Sequence, residues 1–264
     1  MVYPRPAAHG AASANITPRK TPSARLEHLP QRNTPITRRY EVRSLTPEGE
    51  QVDFMRVAPA TPVFEDAFAG FARGTLFSTE SGPVAIEDLQ PGMMLETGRA
   101  GMQPVLWVGS MTVYPGAAGQ STESATLTRI TADSFGLGRP MPDLMLGARA
   151  RLLYKGAGCQ EMFGSDAGFA PARAFVDGIS AIRIQPAAPV RVYHLALHGQ
   201  QIVMANGLEV ETYHPGQHAD MMVEPEIRDI FLGLFPHVRS LSDFGMMPLP
   251  RMTAFELENL RAGV

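Results

Sequence analysis

The chain has 264 residues, 44% of them hydrophobic, a formal charge of −3 and a single cysteine, Cys159. That is enough apolar material for one sizeable core with a small appendage, and it excludes an internal disulfide and a cysteine-based metal motif. No apolar run reaches about 18 residues, so no membrane span is expected, and the first residues lack a secretory h-region, which leaves a cytoplasmic or non-classically secreted location open.

The charge is unevenly spread. Residues 1–40 carry seven basic side chains against the one acid Glu27, leaving 16 basic against 25 acidic in the rest. Residues 1–37 are rich in Pro, Ala, Thr and Arg without periodicity, the composition of a disordered arm. Such an arm is either simply solvated or in contact with nucleic acid or an anionic surface. It is acid-poor like some organelle-import leaders, but its prolines interrupt the amphipathic helix a leader needs.

Tyr40–Leu45 and Gln51–Val57 read as two strands joined by a Thr46-Pro47-Glu48-Gly49 turn. In Pro62–Phe71 the residues Phe64, Ala67, Phe68 and Phe71 have helical spacing. From Gly74 to Gly216 short apolar or β-branched runs follow, among them Thr75–Thr79, Val105–Val113, Leu127–Thr131 and Ile179–Ile184, punctuated by Gly and Pro. In residues 189–216, PVRVYHLALHGQQIVMANGLEVETYHPG, one long strand turns at His198-Gly199 and a second turns at Asn206-Gly207, a type I′ hairpin pair. Past Gly216 a helix opens at Pro225, with Ile227, Ile230, Phe231 and Leu234 on one face, and stops before Pro236. Thr253 and Glu256 form a capping box ahead of Phe255, Leu257 and Leu260. The reading is all-β with two short C-terminal helices: a tail (1–37), a hairpin lead-in (38–63), a β domain (64–216) and a helical extension (217–264).

Several residues invite a chemical reading. His194 and His198 are four apart, as are His214 and His218, but on a strand that spacing is about 13 Å; partly exposed strand and loop histidines are expected, with no metal and no cofactor. Asp243-Phe244-Gly245 matches a kinase metal-binding triplet without its companion motifs and reads as a helix-ending turn with Phe244 packed. Thr75, Ser78 and Thr79 read as strand residues, and Cys159 as a loop residue, a candidate exposed thiol with nothing nearby in sequence to activate it. The adjacent methionine pairs 93–94, 221–222 and 246–247 fill core gaps or offer an adaptable face to a protein partner, for which Phe231, Leu232, Leu234 and Phe235 supply further apolar surface.

Residues 70–92, GFARGTLFSTESGPVAIEDLQPG, set the functional question. Gly74-Thr75, Gly82-Pro83-Val84, Ile86-Glu87-Asp88-Leu89 and Pro91-Gly92 occur in order. They are followed by Trp107, Arg139-Pro140, Asp143-Leu144, Pro171-Ala172-Arg173 and VYHLALHGQQIVMANGLEVE. Over about residues 64–216 the chain resembles the Hint domain of hedgehog autoprocessing proteins and inteins, which implies a horseshoe of short strands. The resemblance also implies a reaction. A Cys or Ser attacks the carbonyl before it to give a thioester or ester, and a middle-strand His protonates the leaving amide.

Residue by residue, the groups for that reaction are missing. The nucleophile position falls on Gly70, and Ala69, Phe71 and Ala72 have no hydroxyl or thiol. The middle-strand His matches Ala150, in LMLGARARLLY, where only Arg151 of the family pattern remains. The late-strand His matches Gln200, the terminal His-Asn pair matches Glu211-Thr212, and the acid after Pro-Gly matches Met93. Two functions follow: a silent Hint-fold module kept for binding or scaffolding, or a self-processing protein that uses displaced residues.

Overall fold

The structure is a computed structural model that describes residues 36–117, 122–216 and 224–263. The expected tail up to residue 35, His218, Met221 and Met222 lie outside the described residues.

Two strands, β1 (Thr37–Leu45) and β2 (Gln51–Pro59), pair in the expected hairpin, in register from Thr37 opposite Pro59 to Leu45 opposite Gln51. Thr46 N–H donates to Glu50 O at 2.8 Å and Gly49 sits at φ +86°, a left-handed value that glycine adopts without a Cβ penalty. The helix expected over 62–71 is one turn only, α1 (Pro62–Glu65). It ends early because the backbone of Ala69 and Gly70 bonds to Arg149 and Tyr193 instead of to the preceding turn. Phe64, Ala67, Phe68 and Phe71 are nonetheless all fully buried.

Next come β3 (Phe71–Ala72), β4 (Leu76–Thr79), β5 (Gly82–Ala85), β6 (Met94–Thr97), β7 (Gly101–Pro104), β8 (Trp107–Val113), β9 (Leu127–Ile130), β10 (Leu144–Leu146) and β11 (Arg151–Lys155). After the short helix α2 (Cys159–Phe163) follow β12 (Ala167–Pro171), β13 (Ala181–Ile184), β14 (Val190–Ala196), β15 (Ile202–Ala205) and β16 (Leu208–Glu211). All their pairings are antiparallel. One sheet has the order β13-β9-β10-β3-β14-β8-β1-β2, the other β12-β11-β16-β15-β4-β6-β7, with β5 on β4. The fold is all-β, as expected. Asn206 (φ +48°) and Gly207 (φ +85°) make the β15–β16 turn. The Asn206 side chain also accepts from Leu76 N–H at 2.7 Å and donates to Pro142 O and Asp143 O, tying three segments together.

Phe71, Phe77, Leu95, Leu152 and Leu195 belong to a core fed by both sheets. A second core joins the two flanks of the β domain: Tyr40, Phe64 and Phe68 from upstream pack with Trp107 and with Phe231, Phe235 and Phe244 from downstream. Trp107 stacks on Phe235 at 4.8 Å, and its Nε1–H donates to Leu234 O at 2.8 Å. Gly109 is obligatory beneath these rings, because a Cβ there would lie 2.2 Å from the Trp107 ring and 2.5 Å from Phe68.

The C-terminal part has α3 (Pro225–Leu232), a 3-10 turn (Leu241–Phe244) and α4 (Ala254–Ala262). The Thr253–Glu256 capping box is present. Two expected core residues are exposed. Ile230 is about 100° round α3 from the packed Phe231, and Phe255 is about 200° from Leu257 on α4, so neither shares the buried stripe. Cys159 is also corrected: it opens α2, is fully buried, and behaves as a small hydrophobe under α4 rather than as an exposed thiol.

Candidate functional site

The Ala69–Gly70 peptide is clamped by backbone on both sides. Ala69 O accepts from Arg149 N–H at 2.9 Å, Gly70 N–H donates to Tyr193 O at 3.0 Å, and Gly70 O accepts from Gly147 N–H at 2.8 Å. The approach of Gly147 is possible only without a side chain, since a Cβ there would lie 2.4 Å from Ala69 O. Gly70 has a backbone conformation open to any residue, but its side-chain space is taken. A Cβ at Gly70 would meet His194 Cδ2 and Cγ at 2.8 Å and Nε2 at 3.0 Å.

His194 reaches that position because β14 is a central strand, paired with β3 on one side and β8 on the other. The ring is buried, edge-on to Phe71 at 5.2 Å and to Tyr213 at 5.6 Å. Its Nδ1 accepts from Leu195 N–H at 3.1 Å, so the neutral ring carries its proton on Nε2. Burial first, and then the charge of Arg251, push its pKa down to about 3. His214 is buried too, with Nδ1 accepting from Gly216 N–H and Nε2 against Gly245 O. The expectation of partly exposed histidines therefore fails for His194, which packs against Phe71 and Tyr213 from a central strand, and for His214, which packs against Phe244 of the C-terminal flank; His198 is exposed. Among the described residues no group of three or more His, Cys, Asp or Glu could hold a metal ion.

Ala150, Gln200, Glu211 and Thr212 are the other residues expected at family positions. Ala150 is buried, its N–H bonded to Gly147 O and its carbonyl to Ala172 N–H. Leu152 opposite Val210 sets β11 beside β16, which brings Arg151 to Glu211 (Nε to Oε2, 3.6 Å). Glu211 is buried and accepts from Arg251 Nε at 2.8 Å and from Gln200 Nε2. Gln200 Oε1 in turn accepts from Leu249 N–H at 2.9 Å, and Thr212 Oγ1 accepts from Gln201 N–H at 3.0 Å. Gln200 and Glu211 are thus bonded to each other and to the C-terminal segment. A cleft of about 270 Å³ opens here, lined by Asp66, Arg149, Arg151, His194, Glu211 and Arg251 among others. Burial pushes Asp66 up against the lowering pull of Arg149, and burial pulls Arg151 down although Glu211 opposes it.

Elsewhere, Thr75 lies in the turn before β4 rather than in the strand, with its hydroxyl donating to Ala72 O at 2.8 Å. Asp243 caps the 3-10 turn through Arg239 N–H and Ser240 N–H, and Phe244 is packed. Met93 and Met246 are exposed rather than core-filling. The sequence reading missed His194 as a neighbour of Gly70. The available signal was a polar residue on an unbroken apolar strand, VYHLAL. Nothing local marked Arg251.

The chain belongs to the Hint domain family, whose profile matches residues 69–217, more than half of it. A comparison with curated proteins gives no match. Among solved structures the chain is similar to a bacterial intein-like domain from Clostridium thermocellum, with 14% identity, a TM-score of 0.39, and coverage of 55% of this chain and 99% of that one. It is also similar to a glutathione-linked, splice-inactive variant of the AceL NrdHF class 3 split intein, with 10% identity, a TM-score of 0.38, and coverage of 55% and 97%. No helix among the described residues is long and apolar enough to cross a membrane.

Proposed function

We propose that this Hint domain no longer cleaves peptide bonds and serves as a binding module through the cleft at its former reaction centre. The observation that carries the reading is the imidazole of His194 in the space where a nucleophile's side chain would begin at Gly70. Attack on the Ala69 carbonyl needs an oxygen or sulfur there, and protonation of the leaving amide needs an acid where Ala150 has a methyl group. His194 does not substitute: a ring with a pKa near 3 is a poor base at neutral pH and almost never an imidazolium.

The surroundings favour the same reading. Residues upstream of Gly70 are not a detachable passenger. They supply β1, which pairs with β8, and Phe64 and Phe68, which are fully buried. A break at Ala69–Gly70 would release nothing without dismantling the second core.

The test is the intact mass of the full chain over a day at 25 °C, with and without dithiothreitol. The expected result is one species of full mass. A fragment starting at Gly70, or thiol-dependent cleavage beside it, would establish the self-processing alternative.

A further inference from the structure

We infer that the cleft beside Gly70 binds a carboxylate, a small carboxylic acid or the free C-terminus of a peptide. This rests on the binding-module reading above and names its ligand class. Three guanidinium groups, Arg149, Arg151 and Arg251, face the cleft against two carboxylates, Asp66 and Glu211. The acids are already committed: Asp66 to Arg149 at 2.6 Å, Glu211 to Arg251 at 2.8 Å and to Gln200. One positive charge is left over.

The surplus sits on Arg151. Its Nη1 reaches Met252 O at 3.3 Å, while its Nε stands 3.6 Å from Glu211, beyond a good hydrogen bond. Its Nη2 has no hydrogen-bond partner among the described residues. A second donor points the same way. His194 is only 5% exposed, lines the cleft, and has its Nδ1 engaged by Leu195 N–H. The remaining Nε2–H donates to no group among the described residues. A guanidinium and an imidazole that line one cleft of about 270 Å³ suit the two oxygens of one carboxylate. A cation would meet the surplus charge, and an uncharged amide would leave it unneutralised.

The experiment follows the His194 ring resonance of the full chain by NMR, assigned by comparison with His194→Phe, during titration with three probes. N-acetylglycine is a small acid, a blocked hexapeptide with a free C-terminus presents a chain end, and N-acetylglycinamide is the neutral control. The expected result is a saturable shift with an acid and none with the amide. If only N-acetylglycine shifts the resonance, the source is a small acid; if the hexapeptide does so at lower concentration, it is a chain end. Arg151→Gln should weaken binding at least about tenfold, and Arg149→Gln is the second variant if that one does not fold. No shift with either acid, or equal shifts with the amide or with inorganic phosphate, overturns the inference. Each of those results leaves the intact mass, and with it the loss of cleavage, a separate question.

Discussion

The imidazole of His194 lies against the α-carbon of Gly70, so close that a methyl group on Gly70 would stand 2.8 Å from two ring carbons. The two residues are distant in sequence and meet because β14 pairs with β3, just after Gly70. This contact leaves no room for a side chain at residue 70 unless the ring moves.

Gly70→Ala should destabilise the protein by about 1–3 kcal/mol, the usual cost of overpacking a filled site. In a His194→Ala background the same change should cost far less, because the colliding ring is gone. Urea unfolding of the four proteins gives the coupling directly. Additive effects would show that the ring does not occupy the side-chain space of residue 70. By the same geometry, Gly70→Cys with Ala150→His should form a thiol-sensitive Ala69–Cys linkage only once His194 is also reduced to Ala.

Gly147→Ala should open the clamp on the Ala69–Gly70 peptide, since the added methyl group would meet Ala69 O at 2.4 Å. The readout is hydrogen exchange at the Gly147 and Arg149 amides, which donate to Gly70 O and Ala69 O. Both should lose protection while β15 and β16 keep theirs. Unchanged exchange would mean that the close approach is not required.

Glu211→Gln should cost about 3 kcal/mol, because it leaves the partly buried guanidinium of Arg251 without its carboxylate. Arg251→Met should cost a similar amount, and the double change less than the sum. Protease sensitivity of the segment around Leu249 supplies a local readout, as that segment is held through Gln200 and Arg251. A purely additive double variant would dissolve the proposed network.

Acid should unfold this protein early. Burial holds His194 near pKa 3 and His237 near 4, and lowers His214 as well, whereas an unfolded histidine takes up its proton near 6.5. The unfolded state therefore binds more protons below about pH 6.5. Stability is complete above that pH and falls on acidification toward 4, by about 1.4 kcal/mol per pH unit for each of His194 and His237, with a further loss from His214. His237 sits between Phe235 and Phe244 with both ring nitrogens buried and without a hydrogen-bond partner among the described residues. His237→Phe should raise the urea midpoint at pH 5 more than at pH 8. An equal rise at both would mean that this ring is not held neutral.

What could be read in the sequence was local. The Thr46–Gly49 and Asn206-Gly207 turns and the Thr253–Glu256 box are decided within a few residues, and each was legible. So was the order of short motifs that carries the family resemblance. The rest depended on distant partners. The run at 62–71 has the spacing of a helix, yet Arg149 and Tyr193 claim its backbone after one turn. Cys159 looks like a loop thiol until α4 covers it. That His194 fills the side-chain space of Gly70 could not be read, nor could Glu211 be linked to Arg251 across 40 residues.

Whether the Ala69–Gly70 bond stays whole can be read from the intact mass of the freshly purified full chain. After a day at neutral pH, with or without dithiothreitol, a single species at the full 28.6 kDa is expected. A pair of fragments that divide between Ala69 and Gly70 would contradict it.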